Sequence, residues 1–354
     1  MSDATGTPDQ DGCEHEAALT RRTLVLDGGV RIHALLAGPE NHDASVELPP
    51  LVLFVHGFPE SWYSWRHQLR AVAAGGWRAA AIDVRGYGRS SKPVRIDEYR
   101  MLRLVADVVG VADALAPETR VYLVGHDWGA PIVWNSALLR PDRFAGVAGL
   151  SVPWAPTTAT RPSEAFRAMA GEREFYIEVF QQPGRAEAEI ERDVRGWLLG
   201  FYFSASGDAP AGTNIALVER GGEVRSKLVY PEDGTMPAWL TEEDLDFYVA
   251  EFERSGFTGG LNRYRNVDRD WEDFAAFRRR PIEIPSLFIG GGKDGPTVWG
   301  RPAIDRFGDT LPGLRGCHIL DGCGHWIQQE RAAEVNRLLL DFLAACEQRR
   351  TAVE

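Results

Sequence analysis

The stretch Val121-Tyr122-Leu123-Val124-Gly125-His126-Asp127-Trp128-Gly129-Ala130 decides how this chain is read. Val121 to Val124 is a short apolar run of β-forming residues, and from Ala130 to Leu139 the pattern turns helical. Between the two, Gly125 and Gly129 flank Asp127 in the spacing Gly-x-Asp-x-Gly. Glycines so placed allow a strand to turn tightly into a helix and present the middle side chain at the top of the turn. A lone Asp near a helix start would ordinarily be explained by the helix dipole. One held between these glycines, directly after a strand, is a candidate for chemistry.

Working outward, the same buried-strand signature appears at Leu51 to Val55, Ala79 to Val84, Val147 to Leu150 and Ser286 to Ile289. Helical stretches such as Leu102 to Leu115 lie between several of them. This alternation predicts an α/β protein with a mostly parallel sheet covered on both faces. Before it, Thr23 onward, a turn at Asp27-Gly28-Gly29 and Val30 to Leu36 read as a hairpin. Ala332 to Cys346 reads as an amphipathic helix. From Ala155 to Asp270 no comparable buried strand is seen, only helical periodicity and many aromatics. The division expected is a disordered acidic tail over 1–20, a core formed by 21–154 and 271–354, and an inserted helical cap over 155–270. Such a cap would lie above the sheet's C-terminal edge, where open α/β sheets bind ligands.

Composition narrows the function classes. With 44% hydrophobic and 25% charged residues, the 354-residue chain has the mixture of a packed globular protein. Its 39 basic and 51 acidic residues give a net charge of −12, which argues against nucleic acid and anionic membrane surfaces as partners. Arg278-Arg279-Arg280 is too short a run to reverse that. The longest mostly apolar run, Phe144 to Pro156, is far below the ~20 residues of a spanning helix. Met1 to Thr20 lacks the basic and apolar regions of a secretory signal. Cys13, Cys317, Cys323 and Cys346 are too scattered for a disulfide framework, so a cytoplasmic location is expected. Cys317, His318, Cys323 and His325 lack the usual zinc spacing, and no metal is expected.

An aspartate at the turn can do what a serine cannot: it is ionised at neutral pH and needs no base to attack an electrophilic carbon. The resulting alkyl ester must then be hydrolysed by a base-activated water, with donors for the oxyanion. The sequence offers the parts. His325 sits in Asp321-Gly322-Cys323-Gly324-His325-Trp326, after the strand-like run His318 to Leu320. Asp294 follows Ser286 to Ile289. The order Asp127, Asp294, His325 is the nucleophile–acid–histidine order of the α/β-hydrolase arrangement. The expected oxyanion donors are the backbone N–H groups of Trp128 and of Phe58, in His56-Gly57-Phe58-Pro59. His56 and His126 are read as loop supports rather than catalysts.

On these residues the chain resembles the epoxide hydrolases of the α/β-hydrolase superfamily, bacterial soluble type. His56-Gly57-Phe58-Pro59-Glu60, Arg85-Gly86-Tyr87-Gly88-Arg89-Ser90 and Gly125 to Gly129 match, as does the cap stretch Phe180-Gln181-Gln182-Pro183-Gly184-Arg185-Ala186-Glu187. The resemblance spans roughly residues 50 to 345. It implies that Tyr176 and Tyr264, the latter in Leu261-Asn262-Arg263-Tyr264-Arg265-Asn266, activate the epoxide oxygen. The chemistry agrees, because a phenol with an ordinary pKa near 10 stays protonated at neutral pH and can donate to a nascent alkoxide. The resemblance implies hydrolysis of an epoxide to a vicinal diol through an aspartyl ester, with no cofactor and water as co-substrate, and the Trp and Phe content around the expected site points to a small apolar or aryl epoxide. Phe58, Pro59, Trp128 and Trp326 are the expected substrate contacts, and a homodimer is compatible with the reading. The alternative is a dehalogenase, haloalkane or haloacetate, using the same Asp-His-Asp chemistry. Neither dehalogenase class accounts for the contexts of the two tyrosines.

Overall fold

The computed structural model describes residues 19–39 and 48–351. The expected acidic tail therefore lies outside the described residues except for its last two. The hairpin forms from β1 (Thr20–Val25) and β2 (Arg31–Ala37), antiparallel with Thr23 opposite His33. Then β3 (Leu51–Val55), α1 (Arg66–Ala74), β4 (Arg78–Ile82), α2 (Met101–Leu115), β5 (Val121–His126), α3 (Gly129–Leu139) and β6 (Phe144–Leu150) alternate along the chain. The expected strand Ala79 to Val84 ends earlier, at Ile82. The chain leaves the sheet at Asp83, whose carboxylate accepts the amide N–H groups of Trp62 and Arg89.

After β6 the chain enters the cap, largely helical. Its elements are α4 (Pro162–Ala170), β7 (Glu174–Phe175), α5 (Tyr176–Gln181), α6 (Arg185–Ile190), α7 (Val194–Ala205), β8 (Leu217–Val218), α8 (Glu242–Ser255), α9 (Thr258–Tyr264) and α10 (Val267–Asp273). The small antiparallel ribbon of β7 and β8 was not foreseen, because strands of two residues carry no periodicity. The chain returns to the sheet with β9 (Ser286–Gly291), α11 (Gly295–Trp299), β10 (Leu314–Leu320) and the C-terminal helix Ala332–Thr351.

The eight-stranded sheet runs in the order β1-β2-β4-β3-β5-β6-β9-β10, parallel from β4 to β10. β3 shows why it is buried on both sides. Leu51, Leu53 and Val55 join the core under α2 and α3, whereas Val52 and Phe54 face α1 and the C-terminal helix. α2 supplies one of those covers with Leu104, Val108, Val111 and Leu115, an apolar stripe at helical spacing. Parallel register brings the C-terminal ends of β3, β5, β6, β9 and β10 to one edge. The residues just beyond those ends form the site. Among the described residues, no helix is long and apolar enough to cross a membrane.

Candidate active site

Asp127 sits at the turn between β5 and α3 with φ 50°, in the left-handed region. The turn is possible because its neighbours lack side chains. A Cβ on Gly125 would stand 2.3 Å from the Gly129 carbonyl oxygen, and one on Gly129 would stand 2.0 Å from that of Val55. Gly57 clears the space for the carboxylate, since a Cβ there would lie 2.2 Å from Asp127 Oδ1. The Phe58 N–H donates to Asp127 Oδ1 at 2.7 Å, and the Trp128 N–H also bonds the carboxylate. Burial raises the pKa of this carboxyl group, while His325, His126 and the two N–H groups work against the rise.

His325 approaches from the loop after β10. Its Nε2 lies 3.6 Å from Asp127 Oδ2, and its Nδ1 lies 2.8 Å from Asp294 Oδ1. Asp294 is fully buried and is the N-cap of α11. Its second oxygen accepts from Thr297 Oγ1 at 2.7 Å. Burial opposes its charge, yet His325 and Thr297 hold its pKa below the usual carboxylate value. Ser151 Oγ lies 3.1 Å from His325 Nδ1, and Ser151 itself has φ 71°. Burial disfavours a charged His325 ring, but Asp294 and then Asp127 outweigh it and push the pKa up to about 9. Ser151 and Thr297 were missed from sequence. Ser151 directly follows the strand read at Val147 to Leu150, so its position at a strand end was the available signal.

Two further histidines brace the loops, as expected. The His56 ring links the Gly57 carbonyl to the Val84 N–H, and burial lowers its pKa. His126 bridges Glu60 Oε2 and the His325 carbonyl, both at 2.8 Å. Glu60 is buried, which alone would raise its pKa, but His126 and the Gly57 N–H hold it at about 2.

Opposite Asp127 hang the two tyrosines. The Tyr176 N–H is pinned by the Ala216 carbonyl beside the β7–β8 ribbon, and Tyr264 ends α9. Their rings meet edge-on with centroids 6.1 Å apart, and Tyr264 also packs edge-on against Phe58 and Trp128. Burial, and the charge of Asp127, raise both phenols well above 10. Both phenols are therefore protonated at neutral pH.

These side chains share one cavity of about 130 Å³, open at its mouth. Phe58, Asp127, Tyr176, Tyr264, Asp294 and His325 all line it. Of the four expected substrate contacts only Phe58 does so. Trp326 is fully buried, its indole N–H tied to the Tyr202 carbonyl at 2.7 Å, so it packs behind His325 rather than into the cavity. Pro59 does not line the cavity, and its carbonyl accepts from the Tyr202 hydroxyl. The Trp128 ring lies under the guanidinium of Arg263 at 4.6 Å and does not line the cavity, though its side chain hydrogen-bonds the Tyr264 phenol. The apolar walls come instead from Phe201, Ile215, Pro296 and Trp299, with Ser204, Thr213, Asn214 and Lys293 as polar lining. Among the described residues, no three His, Cys, Asp or Glu side chains are grouped to hold a metal ion.

Comparison with known proteins gives the family. A sequence profile of the alpha/beta hydrolase fold matches residues 50–191. The chain is 46% identical over 348 residues to Epoxide hydrolase B of Mycobacterium tuberculosis, covering 89% of this chain and 96% of that one. The chain belongs to the epoxide hydrolases. Solved structures of other epoxide hydrolases superpose on it closely. An enzyme from an endophytic Streptomyces has 56% identity and a TM-score of 0.88, covering 93% of this chain and 96% of its own. Epoxide Hydrolase A of Mycobacterium thermoresistibile has 44% identity and a TM-score of 0.84, with 92% and 98% covered. The activity is hydrolysis of an epoxide, and the dehalogenase alternative is not favoured.

Proposed function

We propose that Asp127 is the nucleophile, Tyr176 and Tyr264 the acids that activate the epoxide oxygen, His325 the general base and Asp294 the residue that orients it. The observation that carries this reading is the shared cavity, with His325 reaching Asp127 on one side and Asp294 on the other. One Asp127 oxygen attacks a ring carbon, the C–O bond breaks, and a phenol delivers its proton to the leaving oxygen. In the free enzyme the His325 ring holds a proton at neutral pH. Esterification removes the negative charge of Asp127, so the ring gives up that proton, which returns the phenolate to phenol. Neutral His325 then takes a proton from water, and hydroxide adds to the ester carbon. The N–H groups of Phe58 and Trp128 bind the oxyanion. Collapse releases the diol, its second hydroxyl carrying the other proton of the water.

The apolar walls, Phe201, Ile215, Pro296 and Trp299, support a small apolar or aryl epoxide as substrate. A cytoplasmic location accords with the cysteine usage. The tyrosine assignment is tested by single-turnover kinetics. Tyr176→Phe and Tyr264→Phe should each slow ring opening ~10–100-fold, less than the full ~10²–10⁴-fold of general acid catalysis because the other phenol remains, and the double variant should be nearly inactive. Normal ring opening by the double variant would remove the tyrosines from the mechanism.

A further inference from the structure

The cap motifs contain more than tyrosines, and the catalytic roles above leave Gln181, Glu187 and Arg265 without a task. Their contacts supply one. Tyr176 opens α5 and Tyr264 closes α9, so the distance between the two phenols depends on how these helices are joined. Arg265, one residue beyond Tyr264, lies buried across the joint. Its Nε donates to the Phe180 carbonyl at 3.1 Å, and one terminal nitrogen donates to Asn262 Oδ1 at 2.9 Å. The other donates to both oxygens of Glu187 at 2.8 and 2.9 Å and to the Gln182 carbonyl at 3.3 Å. Gln181 closes the same joint from the other side, its Nε2 donating to the Tyr264 carbonyl at 2.7 Å and to Ile177.

The chemistry of this joint is specific. Phe180, in the last turn of α5, and Gln182, its C-cap, offer carbonyls where no intrahelical partner is available. A guanidinium satisfies them together with a carboxylate because its donors are fixed in a plane, which an ammonium cannot reproduce. The pair is almost dry, with side-chain exposures of 3% for Arg265 and 10% for Glu187. α9 is meanwhile tied to the core, since Arg263 donates to the Tyr99 carbonyl and Asn266 to that of Ile96. Tyr264 is thus fixed relative to the nucleophile by one set of contacts and relative to Tyr176 by the other.

We infer that Arg265 and Glu187, with Gln181, are positioning residues that set the spacing of the two phenols and so act on ring opening but not on ester hydrolysis. This rests on the acid role of the tyrosines. The test follows Asp127 ester formation and decay separately, by rapid quench and intact mass with styrene oxide as probe, in variants whose folding is checked by melting temperature. Arg265→Lys and Glu187→Gln should slow ester formation ~10–100-fold, the scale of loss from ångström-level misplacement, and leave ester decay within about twofold. Gln181→Leu, at a partly exposed position, should give the same selective loss at ~3–10-fold and remains readable if the buried pair does not tolerate change. Added to Tyr264→Phe, each should cost less than about twofold more, because residues acting through one group are not additive. Equal slowing of both steps, or losses that multiply in full with Tyr264→Phe, would overturn the inference. Full-rate ester formation by Tyr264→Phe alone would instead remove the tyrosine reading beneath it.

Discussion

In the proposed mechanism, His325 is the residue on which the two chemical steps turn. A base with a pKa of about 9 would be protonated and idle at neutral pH, yet part of that elevation comes from Asp127, whose charge is spent in the first step. In the proposed mechanism the ring is thus a proton store before alkylation and a base after it. By NMR, the His325 ring in the free enzyme should titrate near 9, and Asp127→Asn, which mimics the neutral ester, should lower that value by about a unit or more. An unchanged value would show that Asp127 does not control the ring. Stability carries the same sign. A folded-state pKa raised above 6.5 gives a contribution fully present below 6.5 and lost as pH rises through about 9. Substrate-contacting residues were harder to foresee than this one. Trp326 stands beside His325 in sequence, but its indole N–H is drawn to Tyr202, and no pattern in the chain announces that bond.

At the scale of elements, the turn from β5 to α3 was legible because its requirement is local. Gly-x-Asp-x-Gly between an apolar run and a helical one describes a space that only glycines leave open. Gly125→Ala drives a methyl group against the Gly129 carbonyl and Val133, at 2.3 and 2.7 Å. It should cost about 3 kcal/mol in urea denaturation, the upper part of the range for forced overpacking. A loss below about 0.5 kcal/mol would mean that the turn relaxes freely and that its glycines are not a steric necessity. The acid and the histidine were legible for a related reason, since each follows a strand whose apolar run could be read. The cavity walls were not. Phe201 lies near the end of a cap helix, Ile215 in a connecting loop and Trp299 on a five-residue helix, and none belongs to a period or motif that points at the site. The tyrosines fall between these cases, visible through resemblance to relatives and then justified by the chemistry of a phenol.

Over the whole molecule, the sheet and the cap divide the labour. Parallel strands buried on both faces bring Phe58, Asp127, Ser151, Asp294 and His325 to one edge although they are spread across most of the chain. The cap brings Tyr176 and Tyr264 to the opposite side of the same cavity. The α/β alternation and the helical character of the insertion could be read from hydrophobic patterning. The packing of cap on sheet could not, because it depends on buried polar bonds such as Arg263 to Tyr99 that leave no trace in periodicity. The central claim is that Asp127 becomes esterified and His325 releases it. The most direct test is the intact mass of His325→Gln after mixing with epoxides and, separately, haloalkanes. A mass gain equal to one whole epoxide, located on the peptide containing Asp127 and persisting for minutes or longer, is the predicted result. Turnover at the wild-type rate, or an adduct elsewhere in the chain, would contradict it.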